Sequence, residues 1–220
     1  MKLFSIKALR LAFLAVLMLV LTGPDLLAQT HSIARKWNEV VLEGIRGDFA
    51  RPTVHARNLH HISAAMYDAW AVYESGSKPY FLGNNIDGYG IPYLGSPAVT
   101  DTLAAQEMAM SYAAYRLISW RFLFSPGQVE TQALADSLMT SMGYSIFTDG
   151  LAYETGGPAE LGNYIANRII LYGLQDEAQE PVYNNVYYNP VNIALAVATP
   201  GNPDMTDPNR WQPLVLDSFV

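Results

Sequence analysis

Blocks of apolar residues at helical spacing, separated by proline and glycine, constrain this sequence more than any other feature. Proline stands near the start of three blocks, at Pro52, Pro126 and Pro158, where its fixed φ suits a helix start and its missing N–H has no helical partner to lose. The spacing predicts helices at about 32–45, 51–73, 99–124, 125–142 and 157–173. The predicted fold class is therefore all-α, a bundle of about five helices with a long irregular C-terminal tail.

The first 28 residues differ in composition from the rest of the chain. Lys2, Lys7 and Arg10 precede an unbroken apolar run over 11–21, and a small residue, Ala28, ends the segment. A basic start, an apolar centre and a small residue before the cut are typical of a secretory signal peptide. The run is shorter than the roughly 20 residues that a membrane helix needs. We expect cleavage after Ala28, no stable membrane anchor afterwards, and a secreted or periplasmic protein.

The remaining chain is expected to divide into a helical bundle domain, residues 29–174, and an extended tail, residues 175–220, rich in Asn, Pro and Tyr. A loop at 74–97, dense in Gly, Pro, Asn and Tyr, interrupts the bundle. A loop of this length is unusual in a compact domain and is expected to be either functional or wrapped across the surface. The composition of the tail predicts an extended segment that packs its side chains over a neighbouring surface, or alternatively a platform for a sugar or an aromatic ligand.

Charge and cysteine content exclude several classes of function. Removing residues 1–28 takes away three of the 13 Lys and Arg residues and one of the 20 Asp and Glu residues, which leaves a net charge of about −9. An acidic chain without basic runs lacks the cations that neutralise phosphates, so nucleic acid is not an expected partner. The chain has no cysteine, which excludes disulfides, thiolate metal sites and a cysteine nucleophile.

Three of the four histidines, His55, His60 and His61, fall in the second predicted helix. At about 100° per residue they project from three faces, so this helix alone cannot bring them to one ion. His61 shares a side with Arg57 and Asp68, which predicts a polar seam between helices in which the imidazole helps packing and forms a hydrogen bond with Arg57, Asp68 or a neighbouring helix. His55 is predicted to meet the core or a helix end, on a buried stripe made up of Leu59, Ile62, Met66, Ala69 and Tyr73.

Carboxylates on several predicted helices raise the question of a metal centre. Glu39 and Glu43 lie one turn apart on the first helix, and Asp68 and Glu107 fall on the next two. Di-iron bundles use Glu-x-x-His pairs, and none occurs here, so a solvated or salt-bridged face is the main expectation. A carboxylate–histidine metalloenzyme using Glu43, His61 and Asp68 stays open as an alternative. No catalytic, cofactor-binding or metal-ligating residue is assigned from the sequence.

Four stretches together are similar to the N-terminal part of the bacterial vanadium-dependent haloperoxidase-like proteins, relatives of the type-2 phosphatidic acid phosphatases. They are residues 34–73, 104–118, 157–178 and 184–214, the last ending in Trp-Gln-Pro-Leu. The resemblance spans nearly all of the chain after residue 28 and rests on packing signatures. It implies a second helical half after this one, which is the expected partner of the 220-residue chain.

In that family the vanadate or phosphate pocket belongs to a later part of the chain. It uses a lysine and an arginine, a Ser-Gly-His, and a final arginine followed closely by a histidine. Lys36 and Arg51-Pro52 lack the Lys-x6-Arg-Pro spacing, Ser125-Pro-Gly-Gln128 is not Ser-Gly-His, and no histidine follows His61. The later cations, Arg116, Arg121, Arg168 and Arg210, are scattered through helices and tail. The resemblance therefore implies vanadate for the full family, and no cofactor residue of this chain.

The expected function is that of an N-terminal scaffold that forms the substrate-side wall of such a protein. The full protein would catalyse peroxide-dependent halide oxidation or phosphate-ester hydrolysis, and this chain is expected to be inactive in isolation. The alternative from another class is a non-catalytic secreted helical module that binds a partner through the 74–97 loop and the tail.

Overall fold

A computed structural model describes residues 31–176, 178, 180, 190–195, 201 and 203–213. The chain divides into two units, Met1–Ser32 and Ile33–Val220, and all helices described here lie in the second. Over the described residues the helices are α1 (Ile33–Arg46), α2 (Pro52–Ala71), α3 (Thr102–Arg121), α4 (Gln128–Ser141) and α5 (Pro158–Gly173). The predicted all-α class is confirmed. The predicted signal peptide and its cut after Ala28 lie outside the described residues, as does most of the tyrosine-rich stretch at 183–192.

The central helix of the bundle is α3, which packs against each of the other four helices. Its inner surface is rich in alanine, including Ala109, Ala113 and Ala114, all with no exposed surface. Small side chains let α5 approach closely, because a Cβ added at Gly162 would lie 2.4 Å from the Ala109 carbonyl oxygen and 2.7 Å from Tyr112 Cβ. This glycine sets the distance between α3 and α5.

Helix α4 begins later than the sequence predicted. Pro126 was expected near its start, yet the helix starts at Gln128 with Gly127 as its cap. The reason is a close backbone contact with the end of α1, where the Gly127 N–H donates to the Gly47 carbonyl at 2.9 Å. A Cβ at Gly127 would lie 2.9 Å from Gly47 Cα. Tertiary contact therefore overrides the local helix-start signal.

The long loop after α2 contains a small hairpin. Strand β1 (Asn85–Ile86) pairs antiparallel with β2 (Tyr89–Gly90). Between them, Asp87 and Gly88 both have positive φ, 49° and 87°, as a two-residue hairpin turn requires. The loop is thus an ordered surface element.

The described part of the tail is organised around one side chain, Asn192, which is 1 % exposed. Its Nδ2 donates to the carbonyls of Asp207 at 2.8 Å and Arg210 at 2.9 Å. Its Oδ1 accepts from the N–H groups of Thr206 at 2.9 Å and Asp207 at 2.7 Å. A single amide thus closes the loop between 192 and 210.

Among the helices of the described residues, none combines the length and the apolar character that crossing a membrane requires.

Candidate functional site

The three clustered histidines occupy different environments on α2. His60 is exposed, whereas His55 and His61 are buried, at 9 % and 2 % exposure. The His55 Nε2 lies 2.8 Å from the Phe49 carbonyl oxygen, just before α2 begins, as expected for a histidine at a helix end. On the predicted stripe, Ile62, Met66 and Ala69 are buried, while Leu59 and Tyr73 are only half-buried; Tyr73 lies beyond the last residue of α2.

His61 contacts a neighbouring helix through a buried hydrogen bond. The Arg121 Nη2 on α3 donates to His61 Nδ1 at 2.8 Å, which assigns the ring proton to Nε2. Burial, and after it the positive charges of Arg121 and Arg57, together lower the pKa of His61 to about 2. The imidazole is therefore neutral, and Phe81 and Tyr172 pack against its ring.

The carboxylate of Glu180 is the centre of this region and is fully buried. Its Oε2 accepts from Arg57 Nη2 at 3.0 Å and is ion-paired with Arg121 Nη1. Its Oε1 accepts from the Trp120 indole Nε1 at 2.9 Å. Both carboxylate oxygens thus accept hydrogen bonds, and these offset much of the free energy that it costs to remove a charged carboxylate from water. These residues, with His61 and Asp176, are called the Glu180 cluster below.

The cations of the Glu180 cluster are also held by groups other than Glu180. Arg57 donates from Nε and Nη2 to Asp176 Oδ2, at 3.0 and 2.8 Å, and from Nη2 to the Gly173 carbonyl at 2.9 Å. That carbonyl lies at the C-terminal end of α5, where the helix dipole favours a cation. A Cβ at Gly173 would lie 2.5 Å from Arg57 Nη2 and 2.8 Å from Glu180 Oε2. Only glycine leaves space for the cluster here.

Formal charges in the Glu180 cluster balance. Two guanidinium groups, Arg57 and Arg121, meet two carboxylates, Asp176 and Glu180, while His61 is neutral. This arrangement can bind one carboxylate through two guanidinium groups and an indole N–H.

Asp68 does not join His61 as the sequence predicted. It is fully buried and accepts hydrogen bonds from three consecutive loop amides, those of Tyr80, Phe81 and Leu82. Burial raises the pKa of Asp68, and the three N–H groups partly offset that rise. The predicted row Arg57–His61–Asp68 is therefore wrong at Asp68, because this carboxylate anchors the loop after α2.

The remaining carboxylate candidates are not brought together. Glu39 and Glu43 are exposed on α1, where they pair with Arg35 and Arg46, and Glu107 is half-buried on α3. In the part of the chain that the structure describes, no three histidine or acidic side chains are grouped to hold a metal ion. Glu43, His61 and Asp68 thus occupy three separate environments.

Sequence reasoning missed the Glu180 cluster. Arg121 was counted among scattered cations, and Asp176, Glu180 and Trp120 were not singled out. Arg57 and Glu180 are 123 positions apart, and no local motif joins them. The available signal was a run of acidic residues directly after α5, at Asp176, Glu177 and Glu180, where a helix C-terminus does not favour negative charge.

Comparison with protein-family models, with curated protein sequences and with solved structures finds no match. The fold and the site thus define the chain by its architecture: a helical bundle in which α2, α3 and the end of α5 meet around the buried carboxylate of Glu180.

Proposed function

We propose that this chain is the helical N-terminal region of an exported vanadium-dependent haloperoxidase-like protein. In this proposal it serves as scaffold and substrate-side wall, and the residues that react with substrate lie in a later half. The sequence resemblance supports the proposal, and three of its stretches, 34–73, 104–118 and 157–178, fall largely on α1 with α2, on α3 and on α5. Peroxide-dependent halide oxidation or phosphate-ester hydrolysis would belong to the full protein.

One observation supports the scaffold role most directly. An oxyanion held without covalent bonds needs several convergent donors whose positive charge is not already neutralised by carboxylates of the protein. Arg57 and Arg121 do converge, but both are ion-paired with Asp176 or Glu180. The described residues of the Glu180 cluster therefore do not fit vanadate, and no step of a vanadate reaction is assigned to this chain.

A vanadate titration of the 220-residue chain tests the proposal. Isothermal calorimetry with the wild-type chain is expected to show no stoichiometric binding of orthovanadate. Arg121→Gln serves as the matched variant, because it removes one of the two cations that converge on Glu180. Tight one-to-one binding by the wild-type chain, lost in Arg121→Gln, would overturn the scaffold role and place the oxyanion site in this chain.

The coding sequence beyond codon 220 tests the other half of the proposal. We expect an in-frame Ser-Gly-His followed by an arginine and a nearby histidine. The longer protein, loaded with vanadate, should oxidise bromide with peroxide or hydrolyse a phosphate monoester, while the 220-residue chain should do neither. A reading frame that ends at codon 220 contradicts the proposal.

The second candidate function is a non-catalytic binding module, and exposed apolar side chains favour it. Leu94 in the loop after α2 is 82 % exposed, and Trp211 in the tail is 50 % exposed. A partner bound there should protect the amides of 74–97 in hydrogen-exchange experiments. Replacing Leu94 with Ser should then weaken binding without lowering the thermal stability of the free chain.

A further inference from the structure

The Glu180 cluster has the arrangement of a binding site whose ligand is part of the same chain. Its donors are supplied by two helices, with Arg57 on α2 and Trp120 and Arg121 on α3. The carboxylate that they surround comes from beyond the end of α5. Donor and acceptor therefore belong to different parts of the chain, as in a complex between a receptor and a ligand.

The donors keep partners that do not depend on Glu180. Arg57 is fixed by Asp176 and by the Gly173 carbonyl. Arg121 is fixed by His61, whose low pKa keeps its Nδ1 free of a proton. Donors held in place before the ligand arrives lose little conformational freedom on binding, which is the basis of preorganised recognition.

The donor geometry selects a planar, singly charged group with two oxygens. One oxygen position faces both guanidinium groups, and the other faces an indole N–H, which donates one hydrogen bond and carries no charge. A carboxylate satisfies both positions. A doubly charged tetrahedral oxyanion would bring more negative charge than the single positive charge that Arg57 and Arg121 have left after the pairing of Arg57 with Asp176.

We propose that Arg57, Arg121 and Trp120 form a preformed carboxylate-binding site, and that Glu180 is its intramolecular ligand, which docks the segment after α5 onto α2 and α3. The proposal does not depend on the haloperoxidase-like function. It predicts that the site keeps its affinity for a carboxylate when the Glu180 side chain is removed.

Acetate is the probe, because its four heavy atoms replace Cγ, Cδ and both oxygens of the glutamate. The full chain carrying Glu180→Ala is expected to gain thermal stability with acetate, by on the order of 5 °C at an acetate concentration a hundred times its Kd. Sodium chloride at the same ionic strength should have no such effect. The wild-type chain and a matched variant, Glu130→Ala at an exposed position of α4, should not respond to acetate beyond the salt effect.

Tryptophan fluorescence gives a second measurement at the site itself. In Glu180→Ala, acetate should change the emission in a saturable manner, and Trp120→Phe in the same background should abolish the change. Phosphate should bind at least ten-fold more weakly than acetate. A Glu180→Ala chain that is folded and shows no saturable acetate response overturns the proposal, as does equal binding of phosphate and acetate.

If Glu180→Ala does not fold in acetate, charge balance is tested with variants that preserve side-chain volume. Glu180→Gln leaves the two guanidinium groups facing one carboxylate, and the double variant Arg121→Met with Glu180→Gln restores the balance. The double variant should melt at a higher temperature than Glu180→Gln alone, because an uncompensated buried charge costs more than a lost pair. An equal or lower melting temperature contradicts a carboxylate-binding site.

Discussion

Acid should destabilise this protein through His61 in a way that a single substitution can isolate. The imidazole is 2 % exposed and accepts a hydrogen bond from Arg121 at 2.8 Å. Protonation would place a third positive charge beside Arg57 and Arg121 and would remove the acceptor. Burial, which disfavours the charged imidazole, and after it these positive charges lower the pKa of His61 in the folded chain from 6.5 to about 2.

The sign of the effect follows from which state binds the proton. Below about pH 6.5 the unfolded chain protonates this histidine, while the folded chain keeps it neutral down to about pH 2. The stability that His61 contributes is therefore present above the unfolded pKa and is lost as the pH falls between these two values. Each pH unit in that window is worth about 1.4 kcal/mol, so a fall to about pH 4.5 costs about 3 kcal/mol.

Urea denaturation followed by far-UV circular dichroism, repeated from about pH 7 to pH 4.5, measures this loss. His61→Asn is the matched variant, because the asparagine oxygen can replace Nδ1 as the acceptor for Arg121 and does not titrate. The variant is expected to be less stable at neutral pH, since it leaves a cavity beside Phe81 and Tyr172. Its stability should nevertheless fall by about 3 kcal/mol less than that of the wild type over the same pH range.

All other ionisable side chains are the same in the two proteins, so the difference between the two pH profiles reports on His61. Parallel profiles, with a difference below about 0.5 kcal/mol, would refute the argument that burial and the two arginines hold this imidazole neutral. A histidine proton resonance of His61 that titrates near pH 6.5 in the folded chain would refute it independently.

Three other substitutions test separate parts of the fold. Asp68→Asn should lower the free energy of unfolding by about 2–4 kcal/mol, because its amide cannot accept three loop N–H groups; the same change at the exposed cap Asp101 should be nearly neutral, and urea denaturation compares them. Gly162→Ala should cost about 1–3 kcal/mol by forcing α3 and α5 apart, measured as a lower midpoint in urea; an unchanged midpoint would contradict the close contact. Asn192→Ala should increase amide hydrogen exchange and proteolytic cleavage within 203–213, with no change in the melting of the helices.

The helices were predictable because their signals are local. Apolar spacing and an early proline located α2 and α5 to within about two residues at each end. The start of α4 was misplaced because the contact between Gly47 and Gly127 joins residues distant in sequence. The hairpin carried a local signal, Asp87-Gly88 between short strands, but the sequence predicted only a loop at 74–97.

The histidine prediction was correct in kind and incomplete in its partners. Helical geometry predicted that His61 would form a hydrogen bond within a seam between helices, and Arg121 supplies it. It could not predict that Asp68 would turn to the loop, because three successive amides become available only when the loop folds back on α2. Spacing along one helix shows which side chains share a side, whereas the partner depends on the element that packs there.

The same reasoning explains why a fully buried glutamate can be tolerated in this fold. A buried ion pair does not by itself imply stability, since desolvation offsets much of the attraction, while removal of one partner costs about 3–5 kcal/mol. The presence of the Glu180 cluster is therefore weak evidence for added stability, and the clearer expectation is a penalty when one partner is lost. If another residue of the segment after α5 replaced Glu180 between Arg57 and Arg121, both cations would lose a carboxylate in the interior. Incorrect docking therefore costs free energy, so the cluster favours Glu180 over other residues of this segment at the position between Arg57 and Arg121.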